Sequence, residues 1–412
     1  MTRARVEKTN ILKLEFTYAD SDDLAAELGA EKAPDESYKH VRNTILVALI
    51  TAMWEQPESW TAYSRDRNRY QPIRRIYGPD FTFASMCWTV ASLVRAELIE
   101  EQRTRPSAKA KYASRIRATP RLQQDCPVNH VSQLASLPVE PIILKDRNRR
   151  AVGYCESPTT RRMRSDANDQ NDILSSITVS LLTPNWRMDH HGLISDGVRS
   201  LNPARCRMRR IFNWDFGHGG RWFDPWWQTV PSSDRIHLKI DGQDTLEIDY
   251  PRFHPTLLSA VAGIDLGTCD PYEIAGLERS ECKLAFNVLL NATSNRSAIS
   301  GIRDELRRQS HPSPVERAKC LVNAVEQHHH RFQEFWYKGL GLRLQRIDSA
   351  ICAEVQEILR TQNTPTLSIH DSFIVDAAYE DRLHEAMSAA GERAESRLRK
   401  FGLSETIKIL KL

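Results

Sequence analysis

Two aspartates, Asp249 and Asp371, stand where short apolar runs end. The first closes "TLEIDY", an alternating strand that follows a hairpin signal at Asp241-Gly242. The second lies in "TLSIHDSFIV", where His370 and Asp371 fall at the turn between the apolar flanks LSI and FIV. A carboxylate at a sheet rim suits a metal ion. It equally suits a hydrogen-bonded turn, for which Asp is a common residue. Phosphoryl transfer by two metal ions needs two carboxylates on adjacent strand ends, holding cations about 3.5–4 Å apart. Between the two aspartates, "PYEIAGLERSECKLAFNVLLNA" is predicted as a helix by its apolar spacing. Arg279, Lys283 and Asn287 are spaced four apart and share one of its faces. Basic groups on one helix face beside such a site grip a triphosphate. On an isolated helix the same stripe would be ordinary solvated surface. The insert that carries it must form a lobe of its own.

The elements that position these residues follow from periodicity. Residues 1 to about 40 are polar and are expected to form a strand and a helix at one edge. "HVRNTILVALITAMWEQ" and "DFTFASMCWTVASLVRAELIEEQ" are helical by spacing and lie either side of a turn at Gly78-Pro79. A basic extended segment, Arg103 to Arg121, follows. That order is the order of a winged helix, and equally of a plain helical subdomain. "EPIILKD" and "AVGYCE" are predicted strands about the basic turn "KDRNRR", with a helix near "DQNDILSSITVSLL". From about Leu201 the chain becomes dense in aromatic residues and glycine, "RRIFNWDFGHGGRWFDPWWQTVP", and the main domain boundary is placed there. Trp222, Trp226 and Trp227 are assigned to packing rather than base stacking. His328 to His330 are assigned to the surface, because consecutive helical residues point in different directions. "EDRLHEAMSAAGERAESRLRKFG" is expected to be an amphipathic helix on the back of the sheet.

With 412 residues, 41% of them hydrophobic, the chain is long enough for two or three domains and is not of disordered composition. Its longest strongly apolar run, "TILVALITAMW", is about half a membrane span, and the start lacks the apolar core of a secretory signal. A soluble cytoplasmic protein with no membrane partner is expected. The 8 cysteines include no Cys-x-x-Cys pair, which argues against a zinc site or a disulfide framework. The net charge of +4 is modest but clustered, with basic runs at "YSRDRNRYQPIRRIY" and "RTRPSAKAKYASRIRATPR".

Three segments in sequence order resemble the palm and fingers motifs of family A DNA polymerases, and of their relatives the phage-type single-subunit RNA polymerases. "IDYPRFHPTLL" is similar to the first catalytic motif, with Asp249 as a metal ligand and Tyr250 after it. "RSECKLAF" is similar to the fingers helix, which implies that Arg279 and Lys283 contact the phosphates of the incoming nucleotide. "SIHDSF" is similar to the third motif, with Asp371 as the second metal ligand and His370 beside the primer end. Upstream, "GGRWFDPWWQTVPSSDR" resembles segments that touch template and primer. It implies nucleic-acid roles for Gly220, Arg221, Gln228, Pro231 and Arg235. "LRLQRIDSAI" occupies the place of the helix before the third motif, where Gln345 would reach the primer–template minor groove. The resemblance covers roughly 205–412, and no exonuclease signature precedes it.

What the resemblance implies is an α+β right-hand polymerase with an antiparallel palm sheet and helical fingers. Its parts would be a palm in two pieces (205–265 and 341–412) and fingers (266–340); ahead of them, the order of elements alone leads us to expect a helical, winged-helix-like nucleic-acid-binding region (1–120) and a thumb-like connecting region (121–204). The expected activity is primer extension on a DNA template with nucleoside triphosphates and two Mg²⁺ ions, or Mn²⁺, with RNA as the alternative template. Its compact size would fit a mobile element or a repair role. This sequence departs from the DNA enzymes at His254, where they usually carry a glutamate, and at Asn291, where they usually carry a tyrosine; Asn287 stands where an aromatic residue is common. Sugar selection is therefore open, and an RNA polymerase or primase is one rival reading. A non-catalytic DNA-binding protein on a polymerase-like scaffold is the other.

Overall fold

The computed structural model describes residues 11–13, 17–19, 23–104, 114–136, 139–267 and 269–409. Helix α1 (Glu36–Glu55) starts where Asp35 accepts a hydrogen bond from the Tyr38 amide (3.1 Å). From Val41 to Trp54 every residue of α1 is buried, so this helix is an axle rather than a surface element. Strand β1 (Trp60–Tyr63) follows, then helices α2 (Tyr70–Tyr77) and α3 (Phe83–Arg95), then strands β2 (Ile99–Gln102) and β3 (Ser114–Ala118). Ile11–Lys13 pairs parallel with β1, and the order continues β1-β3-β2 in antiparallel fashion. The Gly78-Pro79 turn therefore joins α2 to α3, with α1 in front of the pair. It is Gly78, at φ 112, that ends α2. Much of the basic segment expected after α3, residues 105–113, lies outside the described residues.

A second sheet combines β4 (Ile142–Lys145), β5 (Ala151–Val152), β7 (Arg209–Asn213) and β8 (Asp215–Phe223) in the order β8-β7-β4-β5. Between them run helix α4 (Pro158–Ser176) and β6 (Val179–Leu181). The boundary expected near Leu201 is thus crossed twice, because β4 pairs with β7 and β6 joins the central sheet. Ile142, Leu144, Met163, Leu174, Val179 and Leu181 share one core with Phe212 and Trp222. A separate cluster runs from Leu24 to Val131 and takes in Leu193. The break between cores lies at about 131–142, and the change at Leu201 marks aromatic density alone.

The central sheet completes with β9 (Leu238–Ile240), β10 (Gln243–Asp249), β11 (Leu367–Ile369) and β12 (Ser372–Asp376), in the antiparallel order β11-β12-β10-β9-β6. Strands β9 and β10 reverse at Asp241 (φ 50) and Gly242 (φ 79), the two positive φ angles that a type I′ hairpin requires. After β10 come helix α5 (Phe253–Ala262) and a helical lobe of α6 (Arg279–Asn291), α7 (Asn295–Arg308) and α8 (Pro314–His328). The predicted lobe helix begins at Arg279 rather than Pro271, because Gly276 takes φ 77 just before it. Helix α9 (Gly341–Thr361) buries Leu344, Ile347, Ile351, Val355 and Leu359, at spacings of three and four, against β8 and the central sheet. The last helix, α10 (Glu380–Ile409, interrupted at Gly402), packs on α5 and α9. The architecture is α+β with mainly antiparallel sheets, and among the described residues no helix is long and apolar enough to cross a membrane.

Contact between β8 and α9 depends on Gly220. Its φ is +89, and a Cβ there would meet Phe212 Cε1 at 2.5 Å and Ser349 Oγ at 2.9 Å. The Gly220 carbonyl accepts from the buried Arg210 Nε (3.1 Å), and Arg210 also donates to Ser349 Oγ (3.2 Å). Gly220→Ala is expected to lower stability by about 2–4 kcal/mol, combining left-handed strain with overpacking. A urea titration checks this through a lower midpoint at unchanged slope; an unmoved midpoint would contradict it.

Candidate active site

In the pairing of β11 with β12, Ile369 faces Ser372, so His370 and Asp371 form a two-residue turn. His370 takes φ 63, a left-handed conformation uncommon outside glycine but several-fold enriched in histidine. Across the sheet Asp249 pairs with Ser372, and the Tyr250 amide donates to the Asp371 carbonyl (3.3 Å). The strand-end aspartate and the turn aspartate are therefore neighbours, as their places in the sequence suggested.

Their electrostatics differ from those of the acids around them. Glu247 pairs with Arg235 (2.8 Å) and accepts from Ser372, Asp270 pairs with Arg279 (2.6 Å), and Asp348 pairs with Arg221. Neither Asp249 nor Asp371 has an ion pair among the described residues. Burial pushes the Asp249 carboxyl up to about 6; the Asp371 charge adds to this, and Lys283 opposes it. Two neighbouring carboxylates without a counter-charge are what a bound cation relieves. Among the described residues no group of three or more His, Cys, Asp or Glu is placed to hold a metal. A two-carboxylate donor set suits Mg²⁺ or Mn²⁺, which retains waters and takes further oxygens from phosphates.

Helix α6 faces this pair. It buries Cys282, Ala285, Phe286 and Leu289, which leaves Arg279, Lys283, Asn287 and Asn291 on the opposite side. Arg279 and Lys283 stand 5.4 and 5.9 Å from the centre of the Tyr272 ring. Both occupy the start of α6, where no side chain caps the helix and the dipole is already positive. Cations at a helix start oppose its dipole; Asp270, paired with Arg279, offsets one of the two, and Lys283 has no ion pair among the described residues. Further along, Asn287 hydrogen-bonds His254, and Asn291 Nδ2 donates to the Asn287 carbonyl (2.8 Å). Burial and then Arg221 push the His254 ring down to about 4, and its Nε2 is buried without a partner among the described residues.

Arg221 is aimed from below. Its Nε donates to Asp348 Oδ2 (2.5 Å), while Asp348 Oδ1 has no partner among the described residues. Burial pushes the Asp348 carboxyl up to about 7 against the pull of Arg221. Sequence reading missed Asp348. The available signal was an acid on the apolar face of α9, between Leu344 and Ile351.

Asp249, Asp371, Arg221, Tyr250, His254, Arg279, Lys283, Asn287, Asn291 and Gln345 line one cleft of about 740 Å³, together with Arg252, Asp270 and Tyr272, which the sequence did not single out. Within it the Tyr250 hydroxyl is committed to the Met387 carbonyl (2.5 Å), and its ring stacks on Phe253 at 4.8 Å. Other expected site residues lie outside the lining. Gly220 is buried, Gln228 ties the Trp222 and Ser368 carbonyls together (3.1 and 3.0 Å), and Arg235 is held by Val230 and Glu247. Pro231 is part-buried beyond the short helical turn Trp226–Thr229. His370 packs against Phe223 at 5.3 Å, and burial pushes its ring down to about 4. Trp222, Trp226 and Trp227 are buried, as packing requires. His328 and His330 are exposed, but His329 is buried and its Nε2 meets the Pro271 carbonyl (2.7 Å), so the expected surface run is broken at its middle.

No protein-family model matches this chain, and no curated protein matches it.

A raised carboxyl value sets the direction of two pH effects. Without metal, Asp249 costs the fold stability as pH climbs from the ordinary 3.8 towards about 6, and Asp249→Asn should therefore melt higher than wild type at pH 8 but not at pH 3.5. Protons compete for the same oxygens, so Mg²⁺ should raise the melting temperature at pH 8 and lose this effect below about pH 6. Thermal unfolding followed by circular dichroism, with Asp371→Ala as control, checks both. An equal Mg²⁺ shift at pH 5 and pH 8 would contradict the assignment.

Proposed function

We propose that the chain is a template-directed nucleotidyltransferase, a DNA polymerase that extends a primer 3′-hydroxyl. The central sheet would be the palm of a right-hand polymerase and the α6–α8 lobe its fingers. One observation carries the reading: the paired strand ends bearing Asp249 and Asp371 open onto the same cleft as the Arg279–Lys283 face of α6.

Asp249 and Asp371 would hold two Mg²⁺ ions, whose chemistry there would be activation of the 3′-hydroxyl and neutralisation of the triphosphate. The side chains have their own parts. Arg279 and Lys283 hold the phosphate oxygens as negative charge grows on them, and Lys283 delivers a proton to the departing pyrophosphate. Arg221, fixed by Asp348, binds the primer–template side of the cleft, with the Gln345 amide beside it. The neutral His254 ring and Asn287 form the wall against which the sugar rests. That wall holds no carboxylate to repel or bind a 2′-hydroxyl, which favours a ribonucleotide-using polymerase or primase as the second reading. A purely structural DNA-binding scaffold gives no reason for two unpaired neighbouring carboxylates.

Primer extension with Mg²⁺ on DNA and RNA templates, offering deoxy- or ribonucleotides, tests the proposal. Wild type should extend, while Asp249→Ala and Asp371→Ala should not, with unchanged circular dichroism spectra. Lys283→Ala should slow incorporation by about 10²–10³-fold, the usual effect of losing one group that stabilises developing charge. Normal extension by either aspartate variant would end this reading, and the preferred sugar would decide between its two forms.

A further inference from the structure

The arginines of the N-terminal unit fall into two sets. Most are neutralised: Arg42 by Asp23 (2.8 Å), Arg65 by Glu101 (3.0 Å), Arg117 by Glu100 (2.9 Å) and Arg95 by Glu31 within the unit, and Arg75 by Glu156 outside it. Arg67, Arg69 and Arg74 meet no carboxylate within 4.0 Å among the described residues. Neutral groups orient two of them. Arg67 lies over the Phe83 ring (5.6 Å), and Arg74 Nε donates to the Pro79 carbonyl (3.1 Å). These contacts fix direction while leaving the charge uncompensated. Arg67, Gln71 and Arg74, at spacings of four and three, follow one face of the segment that leads into α2. All three line a cleft of about 580 Å³ whose far wall is Thr82, which caps α3, with Phe83 and Ala84 of that helix.

From this we infer that the α2–α3 cleft is a second nucleic-acid site, one that holds the phosphate backbone of duplex DNA without reading its sequence. From Arg67 to Arg74 the chain advances seven positions, which at about 1.5 Å each gives the charged face a length of roughly 10 Å, more than one phosphate group occupies. Base reading needs donors and acceptors on the helix presented to a groove. Past Phe83, the positions of α3 that are not buried are instead Ala84, Cys87, Trp88, Ala91 and Val94, of which Trp88 is occupied by Tyr38 and Arg42, and its one arginine, Arg95, is paired with Glu31. Single strands are gripped by exposed aromatic platforms. Here Tyr70 is buried and Phe83 lies beneath Arg67. Phosphate contact is what remains. The position also serves the proposed active site, although the inference does not depend on it. Tyr77, at the end of α2, hydrogen-bonds Arg209, which also holds Asp224, and the adjacent Phe223 packs on His370 of the catalytic turn.

Fluorescence anisotropy on the full chain tests this, with two labelled 20-base-pair DNA duplexes of unrelated sequence, in EDTA, over a salt series. The variant Arg67→Ala/Arg74→Ala should weaken binding to both duplexes about equally. It should also lower the slope of log K against log salt by about 1.8, or 0.9 for each phosphate no longer neutralised. Arg67→Lys/Arg74→Lys should restore the slope. Asp371→Ala should bind as wild type does, so this result stands apart from any failure of nucleotide incorporation. Unchanged affinity and slope in the double alanine variant would overturn the inference. So would loss on one duplex alone, which would mean sequence reading, or tighter binding to oligo(dT) or duplex RNA, which would mean a different occupant.

Discussion

One register depends on a single pairing, Asp249 against Ser372. Side chains along a strand alternate between faces, so a slip of one residue between β10 and β12 would turn Asp249 away from Asp371. The partners on either side hold the register against this. Leu246 pairs with Val375 and Ile248 with Phe373, while Ser372 Oγ donates to Glu247, itself held by Arg235. Phe373, Ile374 and Val375 are fully buried, so a slip would also carry apolar groups out of the core. The site inherits its precision from hydrophobic burial.

Beneath the sheet, α9 performs the corresponding task for the basic groups. Asp348 aims Arg221, Ser349 seats Arg210 beside Gly220, Arg346 donates to the Phe216 carbonyl (2.9 Å), and Gln356 donates to Ser368 Oγ (2.8 Å). Burial pushes the Arg210 and Arg346 guanidiniums down to about 10 and about 9, which is the cost of placing cations there. Buried ionic groups add little to net stability, but removing one partner strands the other. They fix how α9 lies on β8, and hence where Arg221 points.

What the sequence revealed follows from the range of the forces involved. The Asp241-Gly242 reversal, the His370-Asp371 turn and the polar face of α6 are each set within a few residues, and periodicity or turn chemistry exposed them. The core boundary near 131–142, the all-round burial of α1 and the pairing of Arg221 with Asp348 depend on partners far away in the chain. Local pattern carries a hint at most, such as the acid on the apolar face of α9, and names none of the partners. The same limit explains Gln228 and Arg235, whose side chains proved to be committed to distant carbonyls and to Glu247. His329 misled because neighbouring histidines look alike until one of them meets the Pro271 carbonyl.

The order of the strands has a consequence for how the protein is made. Strands β10 and β12 are adjacent in space, yet the whole helical lobe and α9 separate them along the chain. During synthesis β10 must wait beside an empty place until β12 emerges, with one edge exposed to other chains meanwhile. The lobe, built from local contacts, folds well before that moment. A chain cut short before Ser372 would thus carry the lobe and the Arg279–Lys283 face of α6, with Asp249 lacking its strand partner. Partial products of this protein would therefore present that basic face before the paired carboxylates exist.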